Sequence, residues 1–363
     1  MQIKITTIPR KNAAGQAGTK GTKEQKKNLM TLESIPVLLE KAITAREGLL
    51  DAGHKGAWRL FNGFLEGCPD LVVDLYARTL VLHDYAESPD EGLPIIEQAQ
   101  KYLQSRLPWL QAGIVKLRNS PSAQAKRGRL LFGGNPDRKV LEAGGWYALD
   151  LCMHQDASLY LDTRNVRAWA KQNVGGRSVL NTFAYTGSLG VAALAGGAER
   201  VVQLDLNRSF LNLAKSSYTL NGFPIHKEDF LCGDFWAQVS RLKRTGARFD
   251  CVLVDPPFFS NTSKGRLDLN TDSARLINKV RPLVNDGGWL ISINNALYVS
   301  GKEYMQTLEG LSVDGYLKIA GVIPVPEDFS GYPETRVGEP VTDPSPFNHS
   351  TKIAILEVKR KKN

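Results

Sequence analysis

Phe249-Asp250-Cys251-Val252-Leu253-Val254-Asp255-Pro256-Pro257-Phe258-Phe259-Ser260 is the stretch on which the reading of this chain turns. It opens as a short, valine-rich apolar run, the pattern of a buried strand. Pro-Pro ends that strand because neither ring can continue a ladder. Asp255 is thereby expected at the carboxyl edge of a sheet, where α/β proteins place their ligands. Two consecutive prolines fix φ and remove two N–H donors, which leaves nearby carbonyls free to accept. Phe258 adds an aromatic face. An acid, free carbonyls and an aromatic plate suit a planar group bearing an N–H, such as a nucleobase. Taken alone, the stretch also reads as a strand ending in a rigid turn over two core phenylalanines.

Around it, from about residue 151, strands and helices alternate, which argues for a mostly parallel sheet. Ser178-Val179-Leu180 is the first strand and runs into Asn181-Thr182-Phe183-Ala184-Tyr185-Thr186-Gly187-Ser188-Leu189-Gly190. An alanine-rich helix follows, and Val201 to Asp205 is a second strand with an acid at its end. Leu231-Cys232-Gly233-Asp234 ends a third strand in another acid. The opening stretch is the fourth. Trp289 to Asn295, introduced by Gly287-Gly288, is the fifth, and Tyr316–Ile323 and Lys352–Val358 are two late strands. A Pro-rich loop from Pro324 to Asn348 lies between them; loops this long are functional or disordered.

A glycine loop after the first strand, with an acid 18 residues beyond Gly187 at the end of the second, is the geometry of nucleoside binding. Small residues admit the ligand to the backbone, and a carboxylate accepts both ribose hydroxyls. The loop reads Thr-Gly-Ser-Leu-Gly and lacks the third glycine of a dinucleotide site, which argues against a dehydrogenase. Asp234 can accept from an adenine amino group. A single acid at a strand end is commonly a helix cap. Three in succession beside a glycine loop point to a site.

Upstream, Leu32 to Leu50 reads as a short helix. Short strands with close turns at Arg59–Gly63, Leu71–Asp74 and Thr79–Leu82 form a small meander. Ile96, Ala99, Leu103 and Leu107 recur at helical spacing, predicting a helix over Pro94–Leu107 with proline near its start. A further strand at Ile114–Leu117 and a hairpin through Gly144-Gly145 complete a small α+β domain. The expected organisation is a disordered basic tail at 1–30, an α+β domain at 31–150 suited to RNA binding, a catalytic domain at 151–358, and a basic tail at 359–363.

The 363 residues carry a formal charge of +9, with 42% hydrophobic and 23% charged residues, an ordinary globular balance. Seven Lys/Arg and one acid, with no aromatic residue, precede Leu29; Lys359-Arg360-Lys361-Lys362 is basic again. That distribution favours a polyanionic partner and a flexible phosphate-binding arm. No apolar run reaches about eighteen residues, so no membrane span is expected. No signal-peptide core follows Met1, and the four cysteines lack paired spacing, which fits a reducing cytoplasm. No metal-ligand pattern appears among the histidines and cysteines.

Taken together, Arg59-Leu60-Phe61-Asn62-Gly63, Leu161-Asp162-Thr163-Arg164-Asn165-Val166-Arg167, Asn181 to Gly187 and Asp255-Pro256-Pro257-Phe258-Phe259-Ser260 resemble the class I S-adenosylmethionine-dependent methyltransferases. More narrowly, they resemble the 23S ribosomal RNA base methyltransferases of the K/L and I types, over residues 46 to 358. The resemblance implies a Rossmann-like sheet, mostly parallel with a late antiparallel strand, and S-adenosylmethionine as cofactor. It implies that Tyr185, Thr186 and Gly187 hold the methionine part, with Phe183 and Leu206 also on the cofactor. Asp205 would take the ribose, Asp234 the adenine and Arg164 the cofactor carboxylate. Asp255, Pro256, Pro257 and Phe258 would face both cofactor and target base.

Two departures matter. Many I-type members begin with an RNA-binding PUA domain, for which the first 45 residues are too few and too polar. The 5-methylcytosine members carry a cysteine nucleophile after the fifth strand, because C5 of cytosine needs a thiolate added at C6. Here that position reads Ser292-Ile293-Asn294-Asn295, as in K-type members that methylate a guanine nitrogen. Asn294 and Asn295 are expected to read a base edge, and Cys251 is expected to be structural. The expected partner is RNA, 23S ribosomal RNA by the resemblance. A 5-methylcytosine enzyme, a small-molecule or protein N-methyltransferase and a non-catalytic nucleotide-binding domain are the rival readings. The intact Asp-Pro-Pro-Phe disfavours the last.

Overall fold

The computed structural model describes residues 34–262 and 265–360. The basic tail expected at 1–30, and residues 361–363 of the second tail, lie outside the described residues. Arg360 is described and is pinned: its backbone N–H donates to Asp286 at 2.8 Å and its guanidinium to the carbonyls of Pro282 and Val284.

Helix α1 (Ser34–Arg46) turns Ile35, Leu39 and Ile43 inward at four-residue spacing. They pack on a five-stranded sheet of β1 (Ala57–Phe61), β2 (Leu71–Tyr76), β3 (Thr79–Asp84), β4 (Ala112–Leu117) and β5 (Arg129–Gly133), in that order. Helix α2 (Pro89–Arg106) makes the crossover between the parallel pair β3 and β4. It starts five residues before the expected Pro94, because Ser88 caps it by accepting the Glu91 N–H and the acids Asp90 and Glu91 fill its first turn. Pro94 therefore lies inside the helix. Short helix α3 (Ala123–Arg127) precedes β5.

The hairpin of β6 (Lys139–Glu142) and β7 (Gly145–Ala148) lies in a core shared by both halves of the chain, with Ala57, Tyr76, Val81 and Ile114 of the first sheet on one side. Val140 and Tyr147 are buried with Leu161, Val191, Leu211 and Tyr218 of the second domain.

Next come α4 (Arg164–Asn173), β8 (Ser178–Thr182), α5 (Ser188–Ala195), β9 (Arg200–Asp205), α6 (Arg208–Leu220), β10 (Phe230–Cys232), α7 (Phe235–Arg244) and β11 (Phe249–Val254). A hairpin of β12 (Phe259–Thr262) and β13 (Gly265–Asp268) leads to α8 (Ser273–Val280), β14 (Val284–Asn294), α9 (Gly301–Ser312), β15 (Leu317–Val322), α10 (Glu327–Ser330) and β16 (Lys352–Val358). The seven-stranded sheet has the order β10-β9-β8-β11-β14-β16-β15. Its first five strands are parallel, and β16 runs antiparallel to both neighbours. Strand β14 begins at Val284, before the glycines expected to introduce it.

The order reverses at β8, whose partners are β9 and β11, and such a switch point opens a crevice at the carboxyl ends. Register fixes what faces it. Thr182 pairs with Leu204 and with Val254, so Phe183, Asp205 and Asp255 are the next residues on three adjacent strands.

The Pro-rich loop is ordered and ties the two domains together. Asp328 is 1% exposed and accepts both Nη1 and Nη2 of Arg164 at 2.9 Å and the Arg59 N–H at 3.0 Å. Arg46, fully buried, pairs with Glu66 at 2.9 Å and donates to the Asp328 carbonyl at 3.0 Å. Among the described residues, no helix is long and apolar enough to cross a membrane.

Candidate active site

The loop after β8 is bent sharply to bring its backbone to the crevice. Phe183 and Tyr185 both have left-handed φ, 55° and 50°, a conformation costly for bulky residues. It is held by specific bonds. The Tyr185 N–H donates to Asp205 Oδ2 at 2.8 Å, and Gln203 Nε2 donates to the Gly187 carbonyl at 3.2 Å. Gln203 is itself fixed by Asn181 at 2.8 Å. Gly187 has φ 78°, and a Cβ there would stand 2.6 Å from the Cβ of Ala214 on α6. No other residue fits that approach.

Asp205 therefore presents an oriented carboxylate. Oδ1 accepts the Asn207 N–H at 2.8 Å and Oδ2 that of Tyr185, with one lone pair of each oxygen still available. Burial pushes its carboxyl up, opposed by those backbone donors. Beside it Leu206 is 65% exposed, an apolar surface at the mouth of the crevice. Asp234 follows the third strand as expected and caps α7 by accepting the Ala237 N–H at 3.1 Å. Phe183 stacks on Phe235 with ring centroids 4.6 Å apart.

Asp255 sits directly after β11, half-buried, with no hydrogen-bond partner among the described residues. Burial, reinforced by the nearby Asp162 carboxylate, pushes its carboxyl up to about 7. A half-buried acid whose carboxyl is held near neutrality at a strand end is a candidate functional group. Pro256 is buried and Pro257 exposed, and Phe258 leans on the main core. Asn295 directs Nδ2 at the Pro256 carbonyl over a long 3.5 Å, and its Oδ1 is buried without a partner among the described residues.

Two expected roles are not met by the geometry. Arg164 does not reach for a cofactor carboxylate: its guanidinium is held bidentately by Asp328 and lies over the Trp58 ring at 4.3 Å. Asn294 cannot read a base edge. It is 1% exposed, with Nδ2 on Leu269 O and Ser273 Oγ and Oδ1 on the Ala296 N–H. The hydroxyl of Thr186 is spent on the Ser158 carbonyl at 2.5 Å, tying the loop to the segment above it.

That segment, residues 151–163, is what the sequence reading missed. It carries Asp156, Tyr160 and Asp162. Asp162 accepts from Thr351 Oγ1 at 3.0 Å, and burial raises its carboxyl. Tyr160 lies against Tyr185, ring centroids 5.0 Å apart. The resemblance at Leu161–Arg167 marked this neighbourhood; no periodicity in the segment itself shows where it folds. Cys251 is fully buried in β11 and its thiol is pushed far up by burial, as a structural cysteine. Among the described residues there is no cluster of three or more His, Cys, Asp or Glu side chains arranged to hold a metal.

A seven-stranded sheet with this order, an oriented acid after its second strand and an Asp-Pro-Pro after its fourth defines a class I methyltransferase. The sequence profile of the S-adenosylmethionine-dependent methyltransferases matches residues 72–309, and the chain belongs to that family. It is 31% identical over 232 residues to the ribosomal RNA large subunit methyltransferase I of Aeromonas hydrophila, covering 63% of this chain and 58% of that protein. It is 29% identical over 264 residues to the K/L enzyme of Colwellia psychrerythraea, covering 69% and 35%. The chain thus spans little more than half the length of the former and a third of the latter. A Streptococcus mutans structure described as a SAM-dependent methyltransferase superposes with a TM-score of 0.77, 20% identity, and 91% and 82% of the two chains covered. Another methyltransferase structure, complexed with SAH, gives 0.79 at 19% identity, with the same coverage. At that identity the likeness concerns the fold.

The residues present fit S-adenosylmethionine. Asp205 offers two oriented acceptors for a diol, Leu206 an apolar plate beside it, and the bent Phe183–Gly187 loop an open backbone.

Proposed function

We propose that this enzyme methylates a base nitrogen of RNA, guanine in the large-subunit ribosomal RNA. The observation that carries this is Asp255, a half-buried acid with a pKa of about 7, beside the Pro256 carbonyl and Phe258 and without a cysteine opposite. The RNA part rests on the names of the curated relatives and on the basic sequence composition.

Asp205 and the loop from Phe183 to Gly187 would hold the cofactor, which when bound supplies an electrophilic methyl group on a sulfonium. Asp255 accepts a hydrogen bond from the target amino group and turns its lone pair toward that methyl. The Pro256 carbonyl takes a second N–H, and Phe258 and Asn295 steady the base. The target nitrogen would take up that methyl group and be left with a surplus proton. The nitrogen sheds a proton to Asp255, whose raised pKa matches the task. A target inside a helix would have to be flipped or unpaired to reach this crevice.

The strand-end chemistry disfavours 5-methylcytosine. Ser292 is 3% exposed and accepts the Tyr304 hydroxyl at 2.8 Å, and Cys251 is sealed in the sheet. Mass spectrometry of digested RNA from a deletion strain against wild type tests the reading. Loss of a methylated guanine supports it. A 5-methylcytosine that depends on this protein, or a trapped 5-fluorocytosine adduct, overturns the nitrogen assignment.

A further inference from the structure

We propose that Lys126, Arg127 and Arg129 form a phosphate-binding patch on the first domain that takes the RNA backbone beside the crevice; this rests on the RNA reading above. From Asn119 to Pro136 the chain holds these three cations and no acid. Arg127 and Arg129 are exposed and Lys126 is half-buried, and none of the three is in an ion pair among the described residues. Every arginine from Arg46 to Arg118, by contrast, pairs with a carboxylate. Charge that is left without a partner in a domain that otherwise pairs its arginines is available to an outside anion.

The turn that bears the patch is fixed from within. Gly128 is buried with φ 104°, and a Cβ there would stand 2.8 Å from Cγ2 of Ile114 and 3.0 Å from Cγ of Lys116. The chain is thus pressed onto β4 at Gly128, with an exposed arginine on either side. Lys116, itself fully buried, donates from Nζ to the Arg127 carbonyl at 2.7 Å and to the His154 carbonyl at 2.9 Å. One ammonium therefore ties the patch to residues 151–163. From His154 the contacts continue to the cofactor loop. Its ring meets Phe210 with centroids 5.5 Å apart, Phe210 meets Tyr185 at 4.5 Å, and the Tyr185 N–H donates to Asp205. A continuous chain of contacts joins the patch to the edge of the crevice.

Cations here have a second use. Strand β5 is the edge of its sheet, and arginine on an edge strand discourages pairing with another chain. That use accounts for Arg129 but not for Lys126 and Arg127, which stand on α3 before the strand, nor for the tie to His154. Successive phosphates of an RNA strand call for several unneutralised cations side by side on a fixed support, and these contacts position the RNA without reading its sequence.

The test uses the full chain and deproteinised large-subunit ribosomal RNA from cells lacking the gene. RNA affinity is measured by filter binding over a salt series, and transfer from tritiated S-adenosylmethionine gives kcat and KM. The triple variant Lys126→Gln, Arg127→Gln, Arg129→Gln is compared with Lys243→Gln, Arg244→Gln, Arg248→Gln. The second set removes the same charge from exposed positions at the end of α7 and the turn into β11, at the sheet edge opposite the crevice. The patch variant should lower the slope of log affinity against log salt by about 2–3, and raise KM for RNA by about 10–100-fold at about 50 mM salt. Cofactor affinity by calorimetry and kcat at saturating RNA should stay within about twofold. The control should change the slope by less than about one. Should the patch variant unfold, as read by circular dichroism, Arg129→Gln alone decides, with a slope lowered by about 0.7–0.9. A steep wild-type slope that the patch variant leaves unchanged, or that the control lowers equally, overturns the patch and leaves the RNA reading standing. A wild-type enzyme that neither binds nor methylates this RNA overturns the RNA reading, and the assignment with it.

Discussion

The backbone N–H of Tyr185 donates to the carboxylate of Asp205 at 2.8 Å, joining the loop after the first strand to the acid after the second. One bond thus does two things. It holds Tyr185 at φ 50°, where a bulky residue does not rest unaided, and it turns the carboxylate so that its remaining lone pairs face the crevice. Loop conformation and acceptor geometry are thereby coupled.

Asp205→Ala is expected to weaken S-adenosylmethionine binding by about 1–3 kcal/mol, the worth of hydrogen bonds to a charged group. Calorimetry measures it. Unchanged affinity would place the ribose elsewhere.

Asp255 must be ionised to accept a proton, so kcat/KM should rise with pH through about 7 and level off above it. Asp255→Asn should abolish that limb and cost about 10²–10⁴-fold in rate while leaving cofactor affinity largely intact.

The same acid has a stability signature. Its folded pKa of about 7 lies above the ordinary 3.8, so the folded state binds the proton more tightly than the unfolded chain. The native state is penalised as pH rises from about 4 toward 7, and fully so above that. Asp255→Asn should therefore raise Tm at pH 8, by stabilisation on the order of 2–4 kcal/mol, and change little at pH 4. Equal Tm shifts at both pH values would mean that the carboxylate is not destabilising.

Asp328→Ala leaves Arg164 buried without its bidentate partner and is expected to destabilise the fold by about 3–5 kcal/mol in urea unfolding. Arg164→Lys should not restore the loss from Arg164→Ala, since an ammonium cannot make the fork. If Arg164 served the cofactor instead, Arg164→Ala would lower affinity and leave stability unchanged.

Gly187→Ala combines a left-handed φ with a Cβ driven against Ala214, so it should cost about 1–3 kcal/mol of stability and reduce cofactor affinity together. Cys251→Ala should cost about 1 kcal/mol for the lost packing and leave kcat unchanged. A fall in kcat at unchanged stability would give this thiol a role that its burial denies.

Much of this was written in local sequence. The apolar run to Val254 followed by two prolines determined where β11 stops, so Asp255 could be placed at a sheet edge without coordinates. Glycine spacing and strand-end acids did the same for Gly187, Asp205 and Asp234, because a strand's end and a turn are decided within a few residues. What the sequence alone did not decide was which groups would be consumed by contacts with distant segments. Asn294 stands in the expected position, but Leu269 and Ser273 take its amide. Arg164 has the expected charge, but Asp328, 164 residues away, takes its guanidinium. The hairpin at 139–148 reads as part of the first domain and is buried between residues of both. Tyr160 lies against Tyr185, held by Asp156 and Arg167, with Arg118 behind Asp156. Backbone punctuation is a local property and survives in sequence; the satisfaction of buried polar groups and the choice of core are settled among residues far apart in the chain, and only the tertiary structure decides them.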